Sequence, residues 1–521
     1  MDTDVLVVGA GPTGLMLANQ LARRGVQTLI VDRHSGPTLQ TRALGVQART
    51  LEIYSHLGIV DQALALGKPT LAANLWAQGR RAARVPVGDI GRDLSPYPFI
   101  LILGQDDNER LLGDSLRSLG VTIQWSTELL GLDQEDNQVA AKLKQADGST
   151  RQLTAAWVAG CDGAHSAVRE LNGIAFQGAP YEHVFFVADT QATGPMVPDE
   201  LNVYLWRQGF HLFFPMRGSD HWRLVGIVPA SLRHKDDLTF ADVIPSLHQE
   251  AGTELSFEAC SWFSTYRIHH RRAERFRDRR CFLLGDAAHI HSPVGAQGMN
   301  TGLQDAYNLA WKLALVVSRR AGIELLDSYE QERIPVAVRL LSTTDRMFSL
   351  IVSDSVLAGL FRTKVMAKIV AFAMSFASIR RLAFRTVSQI GIRYPNSALS
   401  VTQADLPKRA PQAGDRFPWL RLKLIADGPA EDLFGRLDDT RFTLLLFGQT
   451  PPSGMPDMRD LLRTHSIPAD PTNHRELARG QIPQPSFYLL RPDGHIGLCG
   501  GQLDAAAVSG YFSETFKLGP A

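Results

Sequence analysis

Short apolar runs alternate with amphipathic helical patterns at the start of the chain. The run DVLVVG, from Asp4 to Gly9, has the length of a buried strand, and a helical pattern follows from Leu15 to Arg24. A second apolar run, from Gln27 to Val31, ends at the carboxylate of Asp32. This alternation predicts a parallel-type sheet with helices packed on it.

The pattern changes between about residues 176 and 274. Three short runs rich in aromatic and β-branched residues, separated by glycine and serine, lie at Asn202 to Trp206, Phe210 to Met216 and Trp222 to Pro229. Such runs predict a mostly antiparallel sheet. Because the earlier pattern resumes near residue 275, we interpret this sheet as an insertion into the first domain.

The last third of the chain divides into two parts. Helix formers dominate from Leu340 to Ile392, and a linker with Pro407 and Pro411 follows. Beyond the linker, strands such as Phe442 to Phe447 and Ser486 to Leu490 alternate with helical patterns. We therefore expect a separate carboxy-terminal domain.

The longest apolar stretch lies around Val365 to Ala377. Lys368 interrupts it, and it is shorter than the roughly 20 residues that a helix needs to span a bilayer. We expect a buried or interface helix here and no membrane span.

Length and composition limit the function classes. A chain of 521 residues exceeds a single typical core, so two or three domains are expected. Lys plus Arg number 54 against 53 for Asp plus Glu, which leaves no net field to attract nucleic acid or a membrane. The four cysteines have neither a CxxC pair nor metal-ligand spacing. We expect no metal site, no signal peptide ahead of the first strand, and a reducing, cytoplasmic location.

A glycine-rich turn follows the first strand. Gly9, Gly11 and Gly14 have the spacing that lets a backbone turn tightly and approach a pyrophosphate at a helix amino terminus. Asp32 follows the second strand at about the roughly 20-residue distance from which a carboxylate accepts hydrogen bonds from a ribose. Strand, turn, helix and acid together predict a dinucleotide site.

The segment GDAAHIHSPVGAQGMNTGLQDAYNLAW, from Gly285 to Trp311, predicts the other half of a ligand site. An apolar strand ends at Asp286, and after a Pro/Gly loop a helix opens near Gly298, Met299 and Asn300. The helix would direct unpaired N–H groups and partial positive charge at the ligand. The ligand is therefore expected to be polar, partly anionic and large.

A third segment, AGCDGAHSAVR from Ala159 to Arg169, completes a set of three. With these segments in this order, the chain resembles the single-component flavoprotein aromatic hydroxylases, the family of para-hydroxybenzoate hydroxylase and phenol monooxygenase. The resemblance implies bound FAD, with the amino-terminal glycines holding its ADP half. It also implies that the GD segment holds the ribityl and isoalloxazine half, and that the DG segment contacts FAD and takes part in nicotinamide binding.

The resemblance implies a set of cofactor-binding residues. Arg42 would reach the FAD phosphates, Gln105 would contact the flavin and Leu129 would lie against the adenine. The full set is Gly9, Gly11, Pro12, Thr13, Gly14, Asp32, Arg33, Arg42, Gln105, Leu129, Asp162, Asp286, Gly295, Gly298, Met299 and Asn300.

The resemblance also implies fold and domain boundaries. The fold class is α/β and α+β, with a Rossmann-like FAD-binding domain in residues 1–175 and 275–400, including a helical extension over 340–400. Residues 176–274 would form the inserted antiparallel-sheet substrate domain. Residues 408–521 resemble the thioredoxin-like carboxy-terminal domain of the larger aromatic hydroxylases. Two departures from the family pattern, Ala296 in place of a frequent glycine and Cys161 in place of a frequent alanine, leave FAD binding intact.

The implied activity is an FAD-dependent monooxygenase that consumes NADPH or NADH. A flavin carbon-4a hydroperoxide would deliver oxygen from dioxygen to a phenolic or polyketide-like aromatic substrate. The implied protein is a monomer or homodimer without nucleic-acid or membrane partners. The sequence leaves open the compound, the position hydroxylated and the choice of nicotinamide.

Residues that could activate the substrate are less well defined. Tyr204, His211 and Arg223 lie in the inserted sheet and Pro293 lies in the flavin loop, while His269 is a further polar group nearby. His289, at the end of GDAAH, is expected to be structural, because a histidine bonded within the protein needs no proton chemistry. The aromatic cluster Phe210, Phe213, Phe214 and Trp222 suggests a flat apolar substrate.

Alternatives remain. The chain could be a flavin-containing protein that sequesters an aromatic ligand without turnover, or a decarboxylating or ring-opening oxygenase of the same fold. The sequence does not support a flavin halogenase, because it contains no WxWxIP motif. It does not support a two-dinucleotide reductase either, because no second GxGxxG lies on a strand-to-helix turn.

Overall fold

A computed structural model describes residues 1–38, 43–207, 209–233, 235, 237–251, 254–291, 296–352, 355–425, 428–458 and 460–517. Its strands are β1 (Thr3–Val8), β2 (Thr28–Val31), β3 (Gly45–Val46), β4 (Lys68–Thr70), β5 (Ala73–Ala77), β6 (Arg80–Val85), β7 (Ile100–Ile102), β8 (Ile123–Gln124), β9 (Glu128–Gln134), β10 (Val139–Lys144), β11 (Thr150–Gly160), β12 (Phe176–Thr193), β13 (Leu201–Trp206), β14 (Gly209–Pro215), β15 (His221–Ile227), β16 (Ser256–Ala273), β17 (Arg277–Asp278), β18 (Cys281–Leu283), β19 (His289–Ile290), β20 (Val401–Thr402), β21 (Arg421–Lys423), β22 (Ala430–Asp432), β23 (Phe442–Phe447), β24 (Leu462–Ile467), β25 (Ser486–Leu490) and β26 (Ile496–Gly500).

The α-helices are α1 (Pro12–Ala22), α2 (Ala48–Leu57), α3 (Val60–Leu66), α4 (Val87–Ile90), α5 (Gln105–Ser118), α6 (Ala167–Leu171), α7 (Phe240–Ala251), α8 (Gly298–Val317), α9 (Asp327–Val352), α10 (Val356–Phe361), α11 (Ala367–Ala373), α12 (Ala377–Val387), α13 (Pro471–Arg479) and α14 (Ala505–Gly510). Helices and strands share the chain, which is a mixed α/β fold.

Two strands of the first sheet lead into glycine-containing turns: β1 leads into the turn from Gly9 to Gly14, and β18 leads into the turn at Gly285. Its strands run in the order β17-β18-β11-β1-β2-β8, and the pairs of β1 with β2 and β11, and of β11 with β18, are parallel. Val5 to Val8 of β1 are buried without alternation, as expected of a strand covered on both faces. Because these strands are parallel, their carboxyl ends meet at one edge of the sheet.

The second sheet is mostly antiparallel and continues into residues Gly285 to Trp311, which we call the flavin segment after its expected role. Its order is β19-β16-β12-β15-β14-β13-β5-β6, and the parallel contact of β13 with β5 is an exception to the antiparallel pattern. One face packs against α7, with Phe186, Tyr204 and Phe213 in one cluster with Val243 and Leu247. Through β19, which pairs with β16, this sheet begins directly beside the turn that carries Asp286.

The third sheet lies in the carboxy-terminal part. Its order is β20-β26-β25-β23-β24, with β23 parallel to β24 and antiparallel to β25. One of its faces forms a cluster with Trp311 and Leu315 of α8. The helix that opens at the flavin segment therefore also packs on the third sheet.

A buried ionic network joins α8 and α9 to the turn between β25 and β26. The carboxylate of Glu332 accepts hydrogen bonds from Arg491 Nη1 at 2.6 Å and from Lys312 Nζ at 2.8 Å. Arg491 also pairs with Asp493, and none of these side chains is more than 2% exposed. Burial lowers the pKa of Lys312 to about 8. Removing one partner from such a network leaves an uncompensated buried charge.

The long apolar stretch is helical, with one buried and one exposed face. Residues 356–373 form one helical run, α10 and α11 joined by a π-helical turn at Arg362–Met366. Of the two expected environments, a buried or an interface helix, full burial does not hold for one face of this run, because Ile369 is 50% and Phe372 69% exposed. In the described part of the chain, no helix has the length and apolar content needed to cross a membrane.

Candidate active site

The glycine-rich turn leaves an open space at the amino terminus of α1. A Cβ on Gly14 would lie 1.9 Å from the Gly9 carbonyl oxygen, so Gly14 permits the close packing of the turn. A Cβ on Gly11 would meet no atom within 4 Å. Since Pro12 begins α1 and the first-turn N–H groups have no intrahelical partner, this space suits an anionic group.

Asp32 lies beside the same turn at the end of β2. Its Oδ2 accepts a hydrogen bond from the main-chain N–H of Ala10 at 2.7 Å, and its Oδ1 accepts one from His34 N at 2.8 Å. The carboxylate is thus held in a fixed orientation, while Arg33 is exposed. This placement suits a carboxylate that accepts hydrogen bonds from a ribose.

The DG segment follows β11 at the same sheet edge. Asp162 Oδ2 accepts a hydrogen bond from Val168 N at 3.1 Å, and burial raises the pKa of Asp162. Ser166 caps α6 by accepting a hydrogen bond from Arg169 N at 3.0 Å. Arg169 Nη1 in turn donates to the carbonyl of Ala287 at 3.1 Å, which ties this segment to the turn carrying Asp286.

The turn after β18 lies against both long helices of the site. Gly285 to Ala287 form a 3₁₀ turn, and Asp286 is exposed at its tip. A Cβ on Gly285 would lie 2.7 Å from Thr13 Oγ1, and a Cβ on Gly302 of α8 would lie 2.4 Å from the same atom. The amino-terminal parts of α1 and α8 therefore meet beside this turn.

The first turn of α8 presents main-chain groups, whereas the side chain of Asn300 is fully used within the protein. Asn300 Nδ2 donates to Gly45 O at 2.7 Å and to Ala296 O at 2.8 Å, and its Oδ1 accepts from Gln47 N at 2.9 Å. It also accepts from the Thr50 hydroxyl. Any contact of Asn300 with a ligand is therefore limited to its main chain.

Gln105 stands at the start of α5. Its Nε2 donates to Glu109 Oε1 at 2.9 Å, and its Oε1 accepts from Ala43 N at 3.3 Å. Glu109 in turn accepts from Thr38 N at 2.9 Å, and burial raises its pKa. Gln105 thus lies beside the segment expected to carry a phosphate-binding arginine.

Three of the sequence-predicted residues, Arg42, Pro293 and Gly295, lie outside the residues that the structure describes. Leu129 is 5% exposed on β9.

The backbone conformation of Ala296 is one that favours glycine, the residue frequent at this position in the family pattern. Its φ is +51°, in the left-handed region, where a residue with a Cβ costs roughly 1 kcal/mol more than glycine. Its methyl group also occupies the space beside Gly45, where an added Cβ would lie 2.6 Å from Ala296 Cβ. The substitution is tolerated because Gly45 has no side chain.

Asp305, on the second turn of α8, is a site residue that the sequence did not reveal. Its Oδ2 accepts from Gly285 N at 3.0 Å and contacts His289 Nε2 at 2.8 Å, while Oδ1 accepts from Arg333 Nε at 2.6 Å. Burial alone would raise the pKa of Asp305, but Arg333 and His289 hold it below its usual value. The available signal was that Asp305 is the single acidic residue in the sequence of α8.

The candidate substrate residues lie on two different faces of the second sheet. Tyr204 and His211 face α7, and His211 Nε2 contacts Glu250 Oε2 of that helix at 2.8 Å. Arg223 lies on the opposite face, where it pairs with Asp189 of the neighbouring strand. Of the aromatic cluster, Phe213 and Trp222 face α7 as well. The structure therefore does not bring these residues together in one site.

The face opposite α7 carries a row of aliphatic residues. Val203, Leu212, Val225 and Val187 are direct neighbours across β13, β14, β15 and β12. Val203, Leu212 and Val225 are partly exposed, whereas the α7 face is buried. We call this row the aliphatic wall; Val203 and Leu212 pack in one cluster with Met366, and Val187 pairs with Ser264 of β16.

Comparison with known proteins identifies the family. A family profile described as FAD binding domain matches residues 2–344. The chain is 33% identical over 522 residues to 6-methylpretetramide 4-monooxygenase from Streptomyces rimosus, covering 95% of this chain and 90% of that protein.

Solved structures agree along the whole chain. The anhydrotetracycline hydroxylase OxyS from Streptomyces rimosus superposes with a TM-score of 0.79 at 28% identity, with 100% of both chains covered. Aklavinone-11 hydroxylase, solved with FAD and aklavinone, superposes with a TM-score of 0.81 at 25% identity and 99% coverage of both chains. The chain belongs to the family of FAD-dependent aromatic monooxygenases.

Proposed function

We propose that this monooxygenase hydroxylates a multi-ring, polyketide-like phenol, with NADPH or NADH and dioxygen as cosubstrates. The observation that carries the substrate class is the aliphatic wall, an apolar, partly exposed row in the same sheet as β19, the strand that follows the Asp286 turn. The names of the relatives support it, since 6-methylpretetramide, anhydrotetracycline and aklavinone are such compounds.

The residues around the glycine-rich turn fit FAD. The open space beside Gly11 would take the pyrophosphate, and Asp32 would bind the adenosine ribose. Asp286 would bind ribityl hydroxyls, and the first turn of α8 would face the pyrimidine end of the flavin. FAD, when bound, supplies the chemistry by accepting a hydride from the nicotinamide and activating dioxygen.

The protein itself would supply fixed partial charges, hold the substrate in position and exclude water from the site. N–H groups of the first turn of α8 would stabilise negative charge on the cofactor, because they are fixed in direction before the reaction. Asp286 is a ligand-binding group and not a general base. The aliphatic wall would exclude water from the ring to be hydroxylated, which limits loss of reducing equivalents to peroxide.

The carboxy-terminal sheet is, we infer, a thioredoxin-like domain. Parallel β23 and β24, helix α13 and antiparallel β25 and β26 support this assignment. Its segment 408–521 contains Cys499 as its single cysteine, so a dithiol reaction is excluded and a packing role remains. We place the enzyme in the cytoplasm, as a monomer or homodimer.

The first test of this function follows nicotinamide consumption by the purified yellow protein. Phenols, salicylates, naphthoquinones and tetracyclic compounds are supplied in turn, and peroxide and product masses are measured together. We expect tetracyclic phenols to stimulate consumption most strongly and to give a product heavier by one oxygen atom. Failure of either nicotinamide to reduce the bound flavin with any ligand would refute the proposal.

The aliphatic wall can be tested by Leu212→Gln. A polar side chain there should raise KM roughly tenfold and divert reducing equivalents to peroxide, because the substrate packs less tightly and water enters. The matched control is Leu119→Gln, at a leucine that is 40% exposed on the end of α5. Equal coupling of oxidation to product in both variants would place the substrate elsewhere.

A further inference from the structure

Eight large apolar side chains form a line on the surface of α10 to α12. We call this line the apolar stripe; it consists of Leu357, Phe361, Val365, Ile369, Phe372, Phe376, Ile379 and Leu382, which are between 40% and 77% exposed. From Leu357 to Phe372 successive members are three or four residues apart, the spacing that places side chains on one helix face. Phe376, Ile379 and Leu382 follow the turn between α11 and α12. Monomeric proteins rarely expose a continuous apolar surface without a partner.

The other side of the same helical run is attached to the second sheet. Arg362 is fully buried and donates to the carbonyls of Trp206 at 3.2 Å and Arg207 at 2.6 Å. Ala367 is 4% exposed, and Met366 packs against the apolar cluster of the sheet that contains Phe210. The stripe is therefore the outward face of a docked helix.

The stripe remains continuous where α11 ends. The rings of Phe372 and Phe376 contact each other edge to face, with centroids 5.2 Å apart. Arg380 donates to the carbonyls of Met374 at 2.9 Å and Ser375 at 2.8 Å, which caps the carboxyl end of α11 and fixes the turn into α12. Phe384 of α12 is buried, so Ile379 and Leu382 are left on the outer side.

The charged residues of the stripe's own segment all have one sign, and Asp93 of another segment lines a cavity together with Arg381 and Leu382. Residues 355–404 contain no Asp or Glu, and their basic residues are Arg362, Lys364, Lys368, Arg380, Arg381, Arg385 and Arg393. The whole chain is nearly neutral, so this is a local segregation of charge. Lys364, Lys368, Arg381, Arg385 and Arg393 are exposed, and in the described part of the chain none of the five is paired with a carboxylate.

We propose that the apolar stripe binds the surface of an anionic lipid bilayer. Its apolar side chains would enter the boundary between headgroups and acyl chains, as in interfacial amphipathic helices. Lys364 and Lys368 each adjoin a member of the stripe, and their long stems would let their ammonium groups reach lipid phosphates. This proposal is independent of the substrate class and revises the expectation, drawn from total charge, of no membrane partner.

A second copy of the chain fits this surface less well. A two-fold symmetric contact would place the stripe and its cations against the same face of the partner. The cations would then repel one another, with no carboxylate in residues 355–404 to offset them. An anionic bilayer supplies both the apolar medium and the opposite charge.

Binding is measured by sedimentation of the purified holoprotein with vesicles. Vesicles of phosphatidylglycerol mixed with phosphatidylcholine should pellet the protein, whereas pure phosphatidylcholine should pellet it at least roughly tenfold less well, because several cations lose their electrostatic gain. Raising the salt concentration should weaken binding to the anionic vesicles, since exposed charges are screened. Equal binding to both vesicle types, or no binding to either, would overturn the proposal.

A pair of double variants separates the stripe from exposed apolar residues in general. Leu357→Ser with Phe372→Ser removes two stripe side chains that are 77% and 69% exposed, and should reduce the vesicle-bound fraction roughly tenfold or more. The control, Leu71→Ser with Ile425→Ser, changes residues that are 53% and 67% exposed elsewhere. It should bind as the unchanged protein does.

Charge variants give a second, independent readout. Lys364→Gln with Lys368→Gln should weaken binding to anionic vesicles by roughly fivefold or more, while Lys142→Gln with Lys144→Gln on β10 should not. Flavin absorbance and melting temperature confirm that each variant is folded. If the stripe variants convert a dimer into monomers and vesicle binding is absent, the surface is an interface between copies and the proposal fails.

Discussion

Gly11 and Gly14 belong to one turn, but an added side chain would have a different effect at each position. Gly11→Ala should leave the melting temperature of the apoprotein nearly unchanged, because its φ is −72° and nothing lies within 4 Å of the added methyl group. Its methyl group would instead occupy the proposed pyrophosphate space and lower FAD affinity by roughly tenfold or more. Titration of the apoprotein with FAD measures this loss.

Gly14→Ala is the matched comparison. Its methyl group would meet the Gly9 carbonyl at 1.9 Å, so the turn itself must shift and the apoprotein should lose stability. Equal FAD affinity of the Gly11→Ala variant and the unchanged protein would show that the pyrophosphate lies elsewhere.

For single residues, the sequence predicts positions where a motif determines the main-chain geometry. The glycine turn and the Asp32 carboxylate lie together as the spacing predicts, with Ala10 N donating to Asp32. The sequence could not show that the Asn300 side chain is bonded to Gly45, Gln47 and Thr50, because those partners are distant in the chain. Long-range hydrogen bonds leave no periodic signal.

Among the elements, α8 is held to its surroundings by the carboxylate of Asp305. Asp305→Asn should lower the free energy of unfolding by about 3–5 kcal/mol, because it leaves the buried guanidinium of Arg333 without its anionic partner. It should also weaken FAD binding, since Asp305 fixes the N–H of Gly285 in the turn that carries Asp286, the proposed ribityl-binding residue. Urea unfolding of apoprotein and holoprotein measures both effects.

The control for this variant is Asp327→Asn at the start of α9, where the carboxylate is 60% exposed and pairs with Arg277. An exposed pair contributes about 0–1 kcal/mol, so this change should be small. If both variants lose the same stability, Asp305 has no special role in holding the site.

Strands and helices of the amino-terminal half follow their predicted order because periodicity there reflects burial. The run from Asp4 to Gly9 contains all of β1 except Thr3, and the three aromatic runs contain most of β13, β14 and β15. For α11 the apolar pattern left a buried and an interface helix open, and the structure exposes Phe372. An apolar sequence indicates that a segment contacts apolar groups. It does not indicate whether those groups belong to the same chain.

Over the whole molecule, the network around Glu332 joins the first sheet's helices to the third sheet. Burial would raise the pKa of Glu332, but Arg491 and Lys312 hold it well below its unfolded value of 4.5. This interaction therefore stabilises the fold fully above about pH 4.5. Its contribution declines as the pH falls further, because the unfolded chain then takes up the proton first.

Glu332→Gln should cost about 3–5 kcal/mol at pH 7, since Arg491 and Lys312 lose their shared carboxylate. It should also flatten the decline of stability between pH 5 and 3, which urea unfolding at several pH values measures. Glu324→Gln, at a carboxylate that is 57% exposed, is the control and should change stability by less than about 1 kcal/mol. An unaltered acid profile for Glu332→Gln would contradict this account.

Helix α8 has one end at the proposed FAD site and, further along, Trp311 in the core of the third sheet. A recombinant chimera that took its carboxy-terminal sheet from a different parent would have to match Trp311 and the Glu332 network at once. We expect such hybrids to misfold unless α8, α9 and the third sheet come from the same parent. Engineers seeking new substrates should exchange the inserted sheet instead, where the aliphatic wall can vary without disturbing that shared helix.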